Sequence, residues 1–267
     1  MPCNADGTAI HPLHRNVDRA CNLLMPPRFF VPQPLAGSVD ATIALPDDVA
    51  RHATRVLRLQ AGDTITLFDG HGGEYRATIV AGSKRETLAR IDAHDAVERE
   101  SPLAITLVQA IIAADAMDYA IRKAVELGVT SIVPVMAARS QGAGDGARAD
   151  KRLAHWRAIA VAACEQCGRN RVPPVDAPRA LSDWLRAPLL PAVVAQPLAA
   201  ESLAAFAART PPRAVVVGPE GGLDHSEIAQ ASRAGVTAVH LGARVLRAET
   251  AAVAALAMLA AVAGDAR

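Results

Sequence analysis

Between residues 103 and 263, short runs of β-forming residues alternate with helical patterns, and this rhythm limits what the chain can fold into. "LAITLVQAI" reads as an apolar strand. "DAMDYAIRKAVELG" follows as a helix with Met117, Ile121 and Val125 on one face and Gly128 as its stop. "VTSIVPVM" is the next strand, and a glycine-containing loop, "RSQGAGDGARAD", leads into a long helix from about 150 to 168. The alternation continues through "PAVVAQ", the helix "ESLAAFAAR", "AVVVGPEGG", the helix "SEIAQASRAG", "AVHLG" and an alanine-rich final helix. Strands that alternate with helices pair in parallel, because the crossover carries each strand back to the same end. The fold class is therefore α/β, a parallel sheet covered on both faces.

The preceding region has a different pattern. From Arg28 to Ile91, "ATIAL", "DTITLFD", "EYRATIVA" and "TLARI" are strand-like, with Asp69-Gly70 and Gly72-Gly73 as turn residues. One helix interrupts them, "PDDVARHATRVLRL", with Pro46 and two acids at its start. Its Arg51, Arg55 and Arg58 stand at i, i+4 and i+7, which predicts one shared face, either solvated or contacting phosphate. Strands plus one helix in a stretch this short predict a small β-barrel. The predicted organisation is a disordered tail over 1–24, a barrel domain over 25–94, a charged linker "DAVERESP" over 95–102, and an α/β domain over 103–267. Met25, just before "PPRFFV", is a second candidate for the start of the chain.

Composition removes several function classes. The 267 residues carry 28 basic and 27 acidic side chains, a net +1, so a globally basic nucleic-acid binder is not indicated. From Arg139 to Arg171, however, seven Lys or Arg face three acids, a local +4, which suits either an RNA backbone or a solvated helix face. Cys164 and Cys167 form a CxxC inside a helical run, without a second ligand pair. They are expected to be reduced core cysteines in a cytoplasmic protein with no metal. The most apolar stretch, 251–263, is too short to cross a membrane, and the N-terminus lacks the apolar region of a secretory signal.

Two strand ends are marked for chemistry. In "VVVGPEGGLDHSEI", three glycines and a proline separate a strand from a helix, and Asp224 and Glu227 match a capping box. The spacing is not GxGxxG and no lysine follows, so a nicotinamide or triphosphate loop is not indicated. In "HLGARVLRAETAA", Arg244 and Arg247 precede Glu249 and Thr250 at a helix start. Acid and hydroxyl there are ordinary capping residues, whereas two arginines beside the positive end of a helix are less ordinary.

Taken together, "GPEGG" and "LGARVLRAETAA" resemble the SPOUT class of methyltransferases, and more narrowly the RsmE family, which methylates N3 of a uridine in small-subunit ribosomal RNA. "RFFV", "HATRVLR" and "LFDGHGGEYRATI" resemble that family's PUA-like barrel. "KAVELGVTSIVPV", Arg139-Ser140 and "ACEQCGRNRVPPV" resemble its catalytic domain. The resemblance spans residues 28 to 262. It departs at "IAADA" (112–116), where the family carries a lysine-containing loop, and at Ala138, where it carries Glu.

The resemblance implies a trefoil knot, a homodimer, S-adenosylmethionine as methyl donor, and 16S rRNA in the 30S subunit as partner. It implies one donor-pocket wall from Val217, Gly218, Pro219, Glu220, Gly221 and Gly222. The other wall would come from Leu241, Gly242, Val245, Leu246, Ala248 and Thr250, with bulky side chains excluded at the glycines. Arg247 or Arg169 would stabilise a uracil anion, and Glu249 would accept its proton or merely cap its helix. Arg28, His52, Arg55, Arg58, Arg139, Ser140, Gln166 and Arg169 would meet the RNA. Two rival readings are a SPOUT enzyme acting on ribose 2′-OH or on tRNA, and a non-catalytic ribosome-assembly factor. The intact glycines argue against the second.

Overall fold

The computed structural model describes residues 26–82, 86–140, 147–263 and 265. The expected tail, Met25, Cys3 and Cys21 lie outside the described residues. The chain divides into two compact units between Val97 and Glu98.

The first unit is a five-stranded sheet of β1 (Arg28–Phe30), β2 (Thr42–Ala44), β3 (Thr64–Phe68), β4 (Glu74–Gly82) and β5 (Thr87–Asp95), in the order β1-β3-β4-β5-β2. Only β1 and β3 pair in parallel. Register shifts between Arg76 and Ala77 and between Ile79 and Ala81 increase the local twist, so the sheet curls around Phe29, Ile65, Leu67, Ile79 and Ile91. At the β3–β4 turn, buried Asp69 accepts from the Leu35 and His71 amides at 2.8 and 3.0 Å. A Cβ at Gly73, which has φ +69°, would stand 2.4 Å from the His94 ring and 2.9 Å from the Asp95 carbonyl, so only glycine fits this turn.

The helix of this unit differs from its sequence pattern. α1 covers only Asp47–Arg51 and passes into a π-helical turn, His52–Val56. The wider turn brings Ala53 onto the core beside Val49, and Arg58 lies beyond it at φ +56°. Arg51, Arg55 and Arg58 are all exposed, but the i, i+4, i+7 row predicted from the sequence is broken, because that row assumes an unbroken α-helix.

The second unit is a six-stranded sheet in the order β11-β9-β10-β6-β7-β8, parallel at every pairing. Its strands are β6 (Thr106–Ala110), β7 (Ser131–Met136), β8 (Arg179–Ala180), β9 (Ala192–Ala195), β10 (Ala214–Val217) and β11 (Val236–Val239). Its helices are α2 (Ala114–Glu126), α3 (Ala147–Cys167), α4 (Leu181–Leu185), α5 (Leu203–Arg209), α6 (His225–Arg233) and α7 (Ala248–Val262). Val108, Val133, Val194 and Val216 project to the side covered by α4 and α6, through Trp184 and Ala231. α7 packs against both α2 and α5. Its buried alanines at 248, 251, 252 and 255 let the helix approach its neighbours closely.

The strands and helices predicted for this unit are present, and α3 starts a few residues earlier than its pattern suggested. Two elements have no counterpart in the sequence reading. β8 and α4 are two and five residues long, too short to show a hydrophobic period. Cys164 is buried, Cys167 is half-buried, and neither is part of a disulfide. Among the described residues no cluster of His, Cys, Asp or Glu could hold a metal, and no helix is long and apolar enough to cross a membrane.

Candidate active site

The carboxyl ends of three neighbouring strands, β9, β10 and β11, open onto one cavity of about 340 Å³. In a parallel sheet this is where ligands bind, because chain reversals leave loop backbone and helix starts facing a common crevice. The walls are residues 195–197 after β9, 217–223 after β10, and 241–242 with 244–246 after β11. Ile228 of α6 and Ala248 and Ala251 of α7 complete them.

The four glycines of these walls do different work. Gly222 and Gly242 have φ +71° and +121°, and a Cβ at either would meet nothing within 4 Å. They hold a left-handed backbone and leave open space. At Gly218 a Cβ would lie 3.1 Å from the Leu223 side chain, and at Gly221 it would lie 3.2 Å from Arg139 Cδ. Those two are small because the protein itself packs against them. Open space in front of the missing side chain is thus found at Gly222 and Gly242, and not at Gly218 and Gly221.

Hydrogen bonds to three other segments hold the 218–224 loop. Glu220 accepts a 2.9 Å hydrogen bond from the amide of Ala113, the residue that caps the start of α2 and has no side-chain cap of its own. The acid of "GPEGG" thus stands at the positive end of a second helix. Arg139 Nη1 donates to the Gly221 carbonyl at 2.7 Å. Glu227 completes the expected capping box with Asp224, and its other oxygen accepts from the Ala138 amide at 2.7 Å. The Glu227 amide, and next the Ser226 hydroxyl, hold the Asp224 carboxyl below the ordinary aspartate range.

Val217, Gly218, Pro219, Glu220, Gly221, Gly222, Leu241, Gly242, Val245, Leu246 and Ala248, all expected at a pocket, line this one. Thr250 does not, because within the first turn of α7 it is already exposed. Arg247 and Glu249 flank Ala248 without lining the cavity. Arg247 is exposed, and its carbonyl accepts from the Ala251 amide to start α7. The wall after β9, residues 195–197, was missed. Its "AQP" carries no glycine signal, and only the adjacency of β9 to β10 brings it to the site.

The expected RNA contacts fall into two groups. His52, Arg55, Arg58 and Gln166 are exposed. Arg28 is paired with Glu74 and lies over the Phe68 ring, its side chain only 10% exposed. Ser140 closes a turn by accepting from the Ala137 amide at 3.0 Å. Arg169 differs most from expectation, being 4% exposed. It donates to the carbonyls of Val125 and Val129 at 3.0 and 2.9 Å and pairs with Glu100. It joins the end of α2 to the chain entering the unit and is not among the residues that line the cavity. A basic letter in a basic stretch does not distinguish a buried tie from an RNA contact.

Residues 99–260 match the model of an RNA methyltransferase domain, and residues 45–92 match that of an RNA methyltransferase PUA domain. A ribosomal RNA small subunit methyltransferase E from Mycobacterium bovis is 34% identical over 229 residues, 81% of this chain and 85% of the relative. The crystal structure of a protein of the same name from Neisseria gonorrhoeae, bound to S-adenosyl methionine, is 40% identical. It superposes with a TM-score of 0.81 over 89% of this chain and 98% of that one. A methyltransferase from Legionella pneumophila in complex with the bound cofactor SAM is 34% identical, with a TM-score of 0.85.

Proposed function

The chain belongs to the ribosomal RNA small subunit methyltransferase E family, and from that membership we propose that it transfers a methyl group from S-adenosylmethionine to N3 of a uridine in 16S rRNA. The observation that carries this reading is the cavity at the ends of β9, β10 and β11, with open space in front of Gly222 and Gly242. A nucleoside with a bent tail needs such a slot, in which backbone amides and carbonyls can approach it closely.

Residues 241–248 would hold the adenine end of the donor through main-chain groups, and the 218–222 loop would face its amino-acid end. S-adenosylmethionine supplies a methyl group on a sulfonium, which departs as a neutral thioether. The protein's share is to align the acceptor with that carbon and to manage one proton. Uracil N3 bears a hydrogen and is a weak nucleophile until it is lost, so the site needs a cation near the uracil oxygens or a proton acceptor. Exposed Arg247, between cavity-lining Leu246 and Ala248, takes the first role in this reading. Glu249 takes the second or caps α7. The target base leaves its stack to reach the slot. His52, Arg55 and Arg58 serve as phosphate contacts. We further infer a cytoplasmic homodimer acting on the 30S particle. Sedimentation at twice the 27.8 kDa chain mass supports the dimer, and a single-chain mass removes it.

The test is to incubate 30S subunits from a strain lacking the gene with the protein and labelled donor, then map the modified nucleoside by mass spectrometry. A methyl on uracil N3 supports the reading. A methyl on a ribose 2′-oxygen or only on tRNA replaces it, and donor binding without transfer to any RNA makes the chain a binding module.

A further inference from the structure

The turn after β7, residues 137–140, touches the donor-pocket loop and the first turn of the helix that follows it. The Ala138 amide donates to Glu227 at 2.7 Å, and Arg139 Nη1 donates to the Gly221 carbonyl at the same distance. The turn is itself closed twice by Ser140, whose hydroxyl accepts from the Ala137 amide and whose amide donates to the Ala137 carbonyl, both at 3.0 Å. The aliphatic stem of Arg139 lies against Gly221 so closely that a Cβ there would stand 3.2 Å from Cδ and 3.5 Å from Arg139 Cβ. Arg139 therefore acts on Gly221 in two ways, with its guanidinium on the carbonyl and its methylenes on the Cα. Gly221 lies between Glu220, held from the start of α2, and Gly222, whose positive φ faces open space.

We propose that Arg139 is a positioning residue for the methyl donor, setting the backbone of the 220–222 wall, and that glycine stands at 221 to receive the arginine rather than the ligand. This rests on the reading of the cavity as a donor pocket. A carbonyl held by a charged donor cannot rotate toward the cavity, so the loop keeps the conformation that leaves the slot clear. An arginine whose job was to hold RNA would be expected to change RNA affinity and salt dependence instead.

The experiment compares the full-length wild-type protein with Arg139→Ala, Arg139→Lys, Gly221→Ala and the double variant Arg139→Ala/Gly221→Ala. S-adenosylmethionine affinity is measured by calorimetry, and 30S affinity separately by filter binding. Loss of one charge-assisted hydrogen bond predicts a donor Kd raised about tenfold or more in Arg139→Ala, with 30S affinity unchanged. Arg139→Lys keeps a donor and recovers part of the loss. Gly221→Ala also weakens donor binding, and in the double variant the two effects fall short of additive, since both act on one contact. Circular dichroism and a thermal melt establish that each variant is folded. If Arg139→Ala does not fold, the charge-retaining Arg139→Lys and the Gly221→Ala variant decide, the latter through its donor affinity. Donor affinity unchanged in the folded variants overturns the proposal, as does a loss confined to 30S binding. A wild-type protein that gives no donor heat at all defeats the donor-pocket reading itself, a result distinct from failure at Arg139.

Discussion

Gly242 lines the cavity and Arg247, five residues further on, does not, and the two carry opposite kinds of prediction. Gly242 combines φ +121° with empty space ahead of its missing side chain. Valine there both strains the backbone and intrudes on the slot. Gly242→Val should abolish the heat of S-adenosylmethionine binding in a protein with unchanged circular dichroism, and wild-type donor affinity would show that the slot lies elsewhere. Arg247 is exposed and gives only its carbonyl to the helix, so removing its side chain should spare the fold. Arg247→Ala should lower kcat about a hundredfold, the size of effect seen when one donor to a developing anion is deleted. Donor affinity and melting temperature should stay close to wild type, and full turnover by this variant would remove Arg247 from the chemistry.

At the scale of elements, α6 begins with a capping box that also fixes the turn after β7 through Glu227. The hydrogen bonds that hold the Asp224 carboxyl below its ordinary range set the sign of a pH effect. A group with a depressed folded pKa contributes stability above its unfolded value, and that contribution disappears as pH falls through the folded value. The melting-temperature gap between wild type and Asp224→Ala should thus be present at neutral pH. It should close in acid well below about 3.9, the unfolded aspartate value. A gap that stays constant through that range would show that the carboxylate charge is not what the cap uses. The capping box was legible because both partners lie within one helical turn. The π-helical turn at His52–Val56 was not, since its register answers to the packing of Ala53 against the sheet core.

Taken over the full chain, the two units carry different parts of the proposed function. The glycine-rich cavity belongs wholly to the second, and the exposed His52, Arg55 and Arg58 belong to the first. Arg55→Glu combined with Arg58→Glu should weaken 30S binding and lower the slope of log affinity against log salt by about one per lost phosphate contact. Donor binding should be unaffected, and an unchanged salt slope would take these arginines off the RNA.

The α/β class, the strand-rich N-terminal region, the two loops that form most of the cavity and the family were all legible along the chain. Strand and helix periods, capping residues and turn glycines are relations between near neighbours along the chain, so they can be read there. That β9 lies beside β10 and brings residues 195–197 to the site follows from the folded sheet order and from nothing local in the chain. The fold likewise brings Arg169 to the carbonyls of Val125 and Val129, and Arg139 to Gly221, 82 positions away. Those outcomes depend on which distant groups the sheet order brings within hydrogen-bonding reach, and a buried guanidinium takes the carbonyls it is brought against.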